Sequence, residues 1–306
     1  MYTLKNMTKV HVISGGTSSE REVSLRSGAA VAAALQSAGY DVTILDLASA
    51  SLEEMADCDV VFPALHGIGG EDGTLQAKLD TKHVRYVGSG AAASALCFDK
   101  WRYRQTVTDH GLPMAEGALV TADSYQEHPL TAAPFVLKPF NGGSSIDTFI
   151  VRDPKDIPRD KIADAFTRYP ELLLERLIIG TELTVGVLGD MPLTPIEIIP
   201  PEHAEFDYEN KYNGATRELC PPEHVSQELQ EEAKALALKA HQLTDCRDLT
   251  RTDIMLDQTG QLFLLETNTL PGMTDQSLFP KAARAAGIEM TSLCSQLVEM
   301  ALKRQA

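Results

Sequence analysis

The chain has 306 residues, enough to bury a large core in two or three domains. Hydrophobic residues make up 43% and charged residues 23%, an ordinary globular composition, and 43 acidic against 27 basic residues leave a formal charge of −16. Broad association with nucleic acid is excluded, because it needs positive charge facing phosphates; an anionic nucleotide held by local lysines, backbone N–H groups and metal ions is not.

The opening run Met1–Gly16 is too short and too mixed in its apolar content for a signal peptide, and no stretch nears the eighteen or so apolar residues of a membrane span. Five cysteines (Cys58, Cys97, Cys220, Cys246 and Cys294) are scattered, without a metal-binding pair or disulfide scaffold. A reducing, cytoplasmic setting is expected, with no membrane partner.

In chain order, Val10–Ser14 predicts a strand ending at Gly15-Gly16. Ser19 and Glu22 offer a capping box for a helix outlined by Val23, Val31 and Leu35, which Gly39 ends. Val42–Leu47 and Asp59–Leu65 predict two more strands, and this alternation favours a parallel sheet covered by helices. Ligands of such sheets sit beyond the carboxyl ends of the strands, where both glycine turns fall: Gly15-Gly16-Thr17-Ser18-Ser19 and Gly67–Gly73. Neither has the GxGxxG order of a dinucleotide fingerprint.

A boundary is expected near residue 100, before a charged helix over Trp101–His110. Strands at Phe135–Lys138, Leu172–Glu175 and Glu182–Leu188, with a helix over Asp160–Tyr169, suggest a small α+β domain reaching about Gly189. A third region follows. Pro201–Gly214 reads as a long loop, and Leu229, Ala233, Leu236, Ala240 and Leu243 mark one face of a helix. Arg251–Leu256 and Leu262–Leu265 predict paired strands joined by a turn at Asp257–Gly260, and helices from about Leu278 and Thr291 close the region. The expected domains are 1–99, 100–189 and 190–306.

Three features carry chemistry. Asp253 lies on one predicted strand, and Glu266 and Asn268 lie two apart on the next, so these two share a side. Three hard oxygen donors suit Mg²⁺ with phosphates completing the shell; ordinary strand-end polarity, with Asn268 serving a turn, is the other reading. Lys138 ends an apolar strand before the loop Asn141–Ser145, whose N–H groups can face a phosphate while the lysine supplies a point charge. A snorkelling lysine beside a flexible turn is the alternative. Glu175 could accept from an adenine amino group or be a plain edge carboxylate.

Ordered together, five motifs resemble the ATP-grasp superfamily and, within it, the D-alanine–D-alanine ligases. They are Gly15–Ser24, Leu65–Gly67 with Gly70–Gly73, Leu137–Pro139 with Gly143–Ser145, Asp207–Tyr212, and Glu266–Thr274. The resemblance covers nearly the whole chain and implies α/β and α+β architecture: an open parallel N-terminal α/β domain followed by two domains that clasp ATP. It implies that Lys100, Lys138 and Ser145 hold phosphates, that Glu175 and the segment Arg176, Leu177 and Ile178 receive adenine, and that Glu182 binds the ribose. Asp253, Glu266 and Asn268 would hold two Mg²⁺ ions, with Mn²⁺ as a substitute. Glu20 would anchor the ammonium of the first D-alanine. Arg251 and the Gly272 N–H would face the reacting carboxylate, while Ser277 and Leu278 take the second substrate's carboxylate. Ser144 and Tyr212 would link Glu20 to a closing loop whose Lys211 reaches the transferring phosphate. A homodimer is also implied.

The implied reaction joins two D-alanines through a D-alanyl phosphate, releasing ADP and phosphate, for peptidoglycan precursor synthesis. Closure by the Pro201–Gly214 loop would keep water from the acylphosphate. Tyr212 would favour amide over ester formation, because a neutral side chain there adds no positive charge beside the incoming ammonium. The competing expectations are a related ligase for another D-amino or D-hydroxy acid, and a non-catalytic nucleotide-binding module. Two departures from the family pattern stand out: Asp147 and Asp248 each occupy a position where the relatives carry glycine.

Overall fold

A computed structural model describes residues 7–143, 147–201 and 216–304. The N-terminal sheet is parallel, with β1 (Lys9–Ser14) between β2 (Asp41–Asp46) and β3 (Val60–Pro63). Helix α1 (Arg21–Ser37) covers it, burying Val23, Val31 and Leu35 as its spacing predicts. Gly28 lets helix and strand touch, since a Cβ there would lie 2.5 Å from the Ser14 Cβ. The expected Ser19–Glu22 capping box does not form. The helix starts one residue later, with Glu20 at its N-cap and no side-chain cap. Short helices α2 (Leu52–Ala56), α3 (Thr74–Thr81) and α4 (Ala91–Phe98) follow, and α5 (Lys100–Asp109) leads out.

The central sheet is antiparallel, in the order β4 (Gly117–Val120), β7 (Leu172–Arg176), β5 (Phe135–Lys138) and β6 (Phe149–Val151). Helices α6 (Ala122–Glu127) and α7 (Arg159–Arg168) accompany it, and its core gathers Tyr125, Phe135, Leu137, Ile162, Leu172 and Leu174.

The third sheet contains β8 (Gly180–Leu188), β9 (Met191–Pro192), β10 (Ile196–Ile199), β11 (Arg217–Leu219), β12 (Leu249–Asp257) and β13 (Leu262–Asn268). Its order is β11-β10-β8-β12-β13, with β9 on β8. This corrects the expected grouping of Glu182–Leu188 with the central segment: β8 pairs with β12 over its length and with β10 at Glu182–Thr184. The reason is packing. Leu183, Val185 and Val187 point into a core shared with Ala233, Ala237 and Ala240 of α8 (Gln227–Leu243). On the opposite face Gly186 makes room for Phe279 of α9 (Leu278–Ala285), 3.0 Å from where a Cβ would stand. Helix α10 (Met290–Leu302) packs against α1, so one apolar cluster joins the first and third regions.

Both departures from the family pattern sit at left-handed backbone positions, φ 55° at Asp147 and 63° at Asp248. Aspartate tolerates that region better than most residues, and each carboxylate makes a local clamp. Asp147 pairs with Arg168 and accepts from the Tyr169 hydroxyl at 3.0 Å. Asp248 accepts the Gly88 N–H at 2.7 Å and pairs with Arg304.

Candidate active site

Two cavities lie between the sheets. One, of about 820 Å³, is lined by Val136, Lys138, Glu175, Ile178, Glu182 and Asp253. The other, of about 1120 Å³, is lined by His66, Glu71, Arg251, Asn268, Gly272 and Ser277. Glu20, Lys100, Gly142, Gly143 and Glu266 line both, so the cavities meet at this group.

Local chemistry builds each wall. After β1, Gly15 and Gly16 take φ of 75° and 82°. The Gly15 N–H donates to Ser24 Oγ at 2.8 Å, whose own hydroxyl donates to Ala64 O at 2.6 Å, tying this turn to the end of β3. Asp46 accepts the Gly16 N–H and forks onto Arg21, which holds its carboxyl well below the usual range. This turn delivers Glu20 into the gap between two glycines: a Cβ at Gly67 would lie 3.1 Å from Glu20 Oε2, and one at Gly143 3.2 Å from it.

Lys100 opens α5, capped by Asp99, and its own N–H donates to Phe140 O. Its ammonium donates to Gly142 O at 2.8 Å and pairs with Glu266 at 3.2 Å. Lys138 ends β5 and pairs with Glu175 Oε2 at 2.6 Å; Arg104 holds the other oxygen. Burial alone would raise the Glu175 pKa, but Lys138 and Arg104 outweigh it and the net shift is downward. Glu175 is therefore no edge carboxylate: β7 is an interior strand, and the residue is 5% exposed. The Leu177 N–H is engaged by Pro134 O at 3.0 Å, while Ile178 packs with Ala115 and Phe263 into an apolar end of the nucleotide-sized cavity.

The antiparallel register sets Asp253 directly opposite Glu266, and Arg251 opposite Asn268. Two carboxylates facing across a ladder repel. Here cations offset them: Arg251 forks onto Asp253 at 3.0 and 2.8 Å, and Lys100 reaches Glu266. Thr184 donates to Asp253 Oδ1 at 2.6 Å and Asn268 approaches Oδ2 at 3.4 Å. Asp253 keeps the Arg251 pKa raised, although burial acts the other way. Paired carboxylates, an adjacent amide and mutual repulsion fit a divalent cation in this place.

Two further ionisable residues escaped the reading of individual site residues. His66 is buried near Ser27 Oγ at 3.4 Å; burial, then Arg251, push its pKa down to about 4, so it is neutral near pH 7. Glu71 accepts the Gly67 N–H at 2.7 Å; burial, then the Glu20 charge, push its pKa up to about 8. Arg104 and Thr184 were also missed. Arg104 lies in a helix that reads only as charged, and a lone threonine in an apolar strand gives no signal. Gly272 packs against Ser277, whose Oγ accepts the Thr274 N–H at 3.1 Å. Leu278 and Ser277 line the larger cavity, Glu182 and Arg176 the smaller. Ser144, Ser145, Lys211 and Tyr212 lie outside the described residues.

Comparison with known proteins identifies the family. The family model for the D-Ala D-Ala ligase C-terminus matches residues 107–299, and that for the N-terminus matches residues 46–89. A D-alanine–D-alanine ligase from Zymomonas mobilis is 45% identical over 96% of this chain and 94% of its own length. The crystal structure of a D-alanine–D-alanine ligase from Bacillus anthracis superposes with a TM-score of 0.85 at 32% identity, covering 97% of this chain and 98% of that one. The structure of the same enzyme complexed with ATP gives a TM-score of 0.82 at 29% identity, with the same coverage. With matching family models and close relatives along almost its whole length, the chain belongs to the D-alanine–D-alanine ligase family of the ATP-grasp fold.

Proposed function

We propose that the chain joins two D-alanines to D-alanyl-D-alanine at the expense of ATP, releasing ADP and phosphate. The observation that carries this reading is the junction of the two cavities at Glu20, Lys100 and Glu266. A nucleotide in the smaller cavity would present its terminal phosphate there to a carboxylate held in the larger one.

The apolar end at Ile178 suits adenine, and Glu182 suits the ribose hydroxyls. Lys138 and Lys100 would face the phosphates; Glu175, itself held by Arg104, positions Lys138. Asp253, Glu266 and Asn268 would hold Mg²⁺, which supplies charge neutralisation on the phosphate oxygens. Glu20, between Gly67 and Gly143, would receive the ammonium of the first D-alanine. The carboxylate of that first D-alanine then takes the γ-phosphoryl group as ADP leaves, giving D-alanyl phosphate. The amine of the second D-alanine, its carboxylate at Ser277 and Leu278, attacks the acyl carbon and expels phosphate. Arg251 and the Gly272 N–H would offset charge on the acyl oxygen. Ser144, Ser145, Lys211 and Tyr212 complete the proposed set by family resemblance.

ATP and free thiols both point to the cytoplasm as the working compartment, and the family resemblance to a homodimer, which sedimentation would measure. The deciding experiment supplies ATP, Mg²⁺ and D-alanine and separates products by mass. D-alanyl-D-alanine with stoichiometric phosphate is expected. Phosphate release independent of D-alanine, or none at all, would overturn the reading. A competition with D-lactate at pH 6 and pH 8 is expected to leave the dipeptide dominant at both.

A further inference from the structure

Five cysteines are free, and two of them meet. Cys97, on α4, and Cys246, in the turn before β12, bring their sulfurs to 3.6 Å although 149 positions separate them in sequence. Both are buried, at 5% and 9% exposure. Cys97 nevertheless forms part of the wall of the larger cavity, beside His66, Glu71 and Lys100. Cys97 thus borders a cavity open to small molecules, whereas Cys294 is sealed in the core.

We propose that Cys97 and Cys246 form a reversible oxidation site, in which a peroxide entering the larger cavity converts the pair to a disulfide that stops turnover. The sulfur of Cys97 attacks one oxygen of hydrogen peroxide. The O–O bond breaks, and a sulfenic acid and one water result. Cys246 sulfur then attacks the sulfenic sulfur; the S–S bond forms, the S–O bond breaks, and the departing hydroxide takes up the second thiol proton as water. Two thiols lose two electrons in all, and one peroxide is reduced to two waters. Hydrogen bonding and access set this division of labour. Cys246, and then burial, hold the Cys97 thiol well above its ordinary value, while Cys97, and then Thr244 at 3.2 Å, hold Cys246 below its own against the effect of burial. Cys246 is the readier nucleophile for the second step, and Cys97 takes the slower first step only because it lines the cavity.

Closing the bond brings the sulfurs from 3.6 Å to about 2.0 Å. The parts drawn together are not passive. Asp99, two residues after Cys97, caps the helix that starts at Lys100, and Lys100 pairs with Glu266. Five residues after Cys246 stands Arg251, which forks onto Asp253. A shift of about 1 Å in such groups can lower a rate by as much as 100-fold.

The oxidation site stands on the sulfur–sulfur distance and the place of Cys97 in the cavity wall, while its effect on turnover rests on the proposed ligase reaction, so the two are read separately. Purified protein whose ligase turnover has first been confirmed is titrated with hydrogen peroxide. Intact mass is expected to fall by about 2 Da, as two thiol hydrogens are lost. A peptide linking Cys97 to Cys246 should appear, turnover should fall by about tenfold or more, and dithiothreitol should reverse all three changes. In C246S, checked for folding by thermal melting, the linked peptide and the reductant-reversible loss should both be absent; C97A provides the same test should C246S fail to fold. Oxidation confined to Cys58 or Cys220, or Cys97 sulfinic acid without a linked peptide, would overturn the site. A linked pair with undiminished turnover would overturn its effect.

Discussion

Replacing Arg104 with methionine tests how the floor of the nucleotide cavity is held. Arg104 and Glu175 are each 7% exposed at the side chain, and the second oxygen of Glu175 bonds Lys138 at 2.6 Å. Removing one partner of a buried ion pair typically costs about 3–5 kcal/mol, because the other charge is left uncompensated. Two features place R104M at the lower end of that range. Lys138 remains as a counter-ion, and the change also removes the Arg104 Nε, which is buried without a hydrogen-bond partner. The expected loss is about 3 kcal/mol, or roughly 5 °C in melting temperature. In an E175Q background the carboxylate charge is already gone, and the same change should cost about 1 kcal/mol or less, giving a coupling of about 2 kcal/mol. Urea or thermal unfolding of wild type, both single variants and the double variant measures it. Lys138, now the one remaining cation on Glu175 among the described residues, should also be drawn from phosphate, raising the KM for ATP. A coupling below about 0.5 kcal/mol would refute the reasoning.

The remaining predictions concern charge at the cavity junction. E266Q should preserve the fold, lower turnover by about 100-fold or more, and abolish the Mg²⁺-dependent rise in melting temperature expected of wild type with a non-hydrolysable ATP analogue; a normal Mg²⁺ response would remove Glu266 from the proposed metal site. Glu71 titrates from an ordinary value of 4.5 to about 8 in the folded chain, so between those values the unfolded state binds fewer protons and stability falls as pH rises. E71Q should therefore gain on wild type progressively from about pH 5 to pH 8 and hold a constant margin above, of about 1–3 kcal/mol once contact with the open cavity is allowed for. Parallel melting curves across that range would contradict the shifted Glu71.

Much of this site is legible because its residues sit at points where backbone pattern changes. Lys138 follows an apolar strand, Gly15 and Gly16 end another, and Glu266 and Asn268 alternate on a third. Period-two alternation is a local property, so it places Glu266 and Asn268 on one face without knowledge of the partner strand. The motif order along the chain carries the family in the same way. What the pattern leaves open is anything set by which elements become neighbours. Glu182–Leu188 has the same apolar alternation whichever sheet it joins, and only the alanine face of α8 draws it into the third sheet. Glu175 reads equally as exposed or buried until β7 is seen to lie inside its sheet, with Arg104 arriving from a helix 71 positions away.

By itself, then, the sequence determined the type of most elements and the glycine turns beyond the parallel strands, because each follows from spacing within a few residues, and it singled out the donors proposed for phosphate and metal. The tertiary structure decided the charge state and partnership of those donors. Asp253 faces Glu266 through strand register, His66 is driven neutral and Glu71 towards protonation by burial, and Cys97 meets Cys246 through the packing of α4 against the turn before β12. Those properties depend on dielectric and on distances between remote segments, which exist only once the chain has closed on itself.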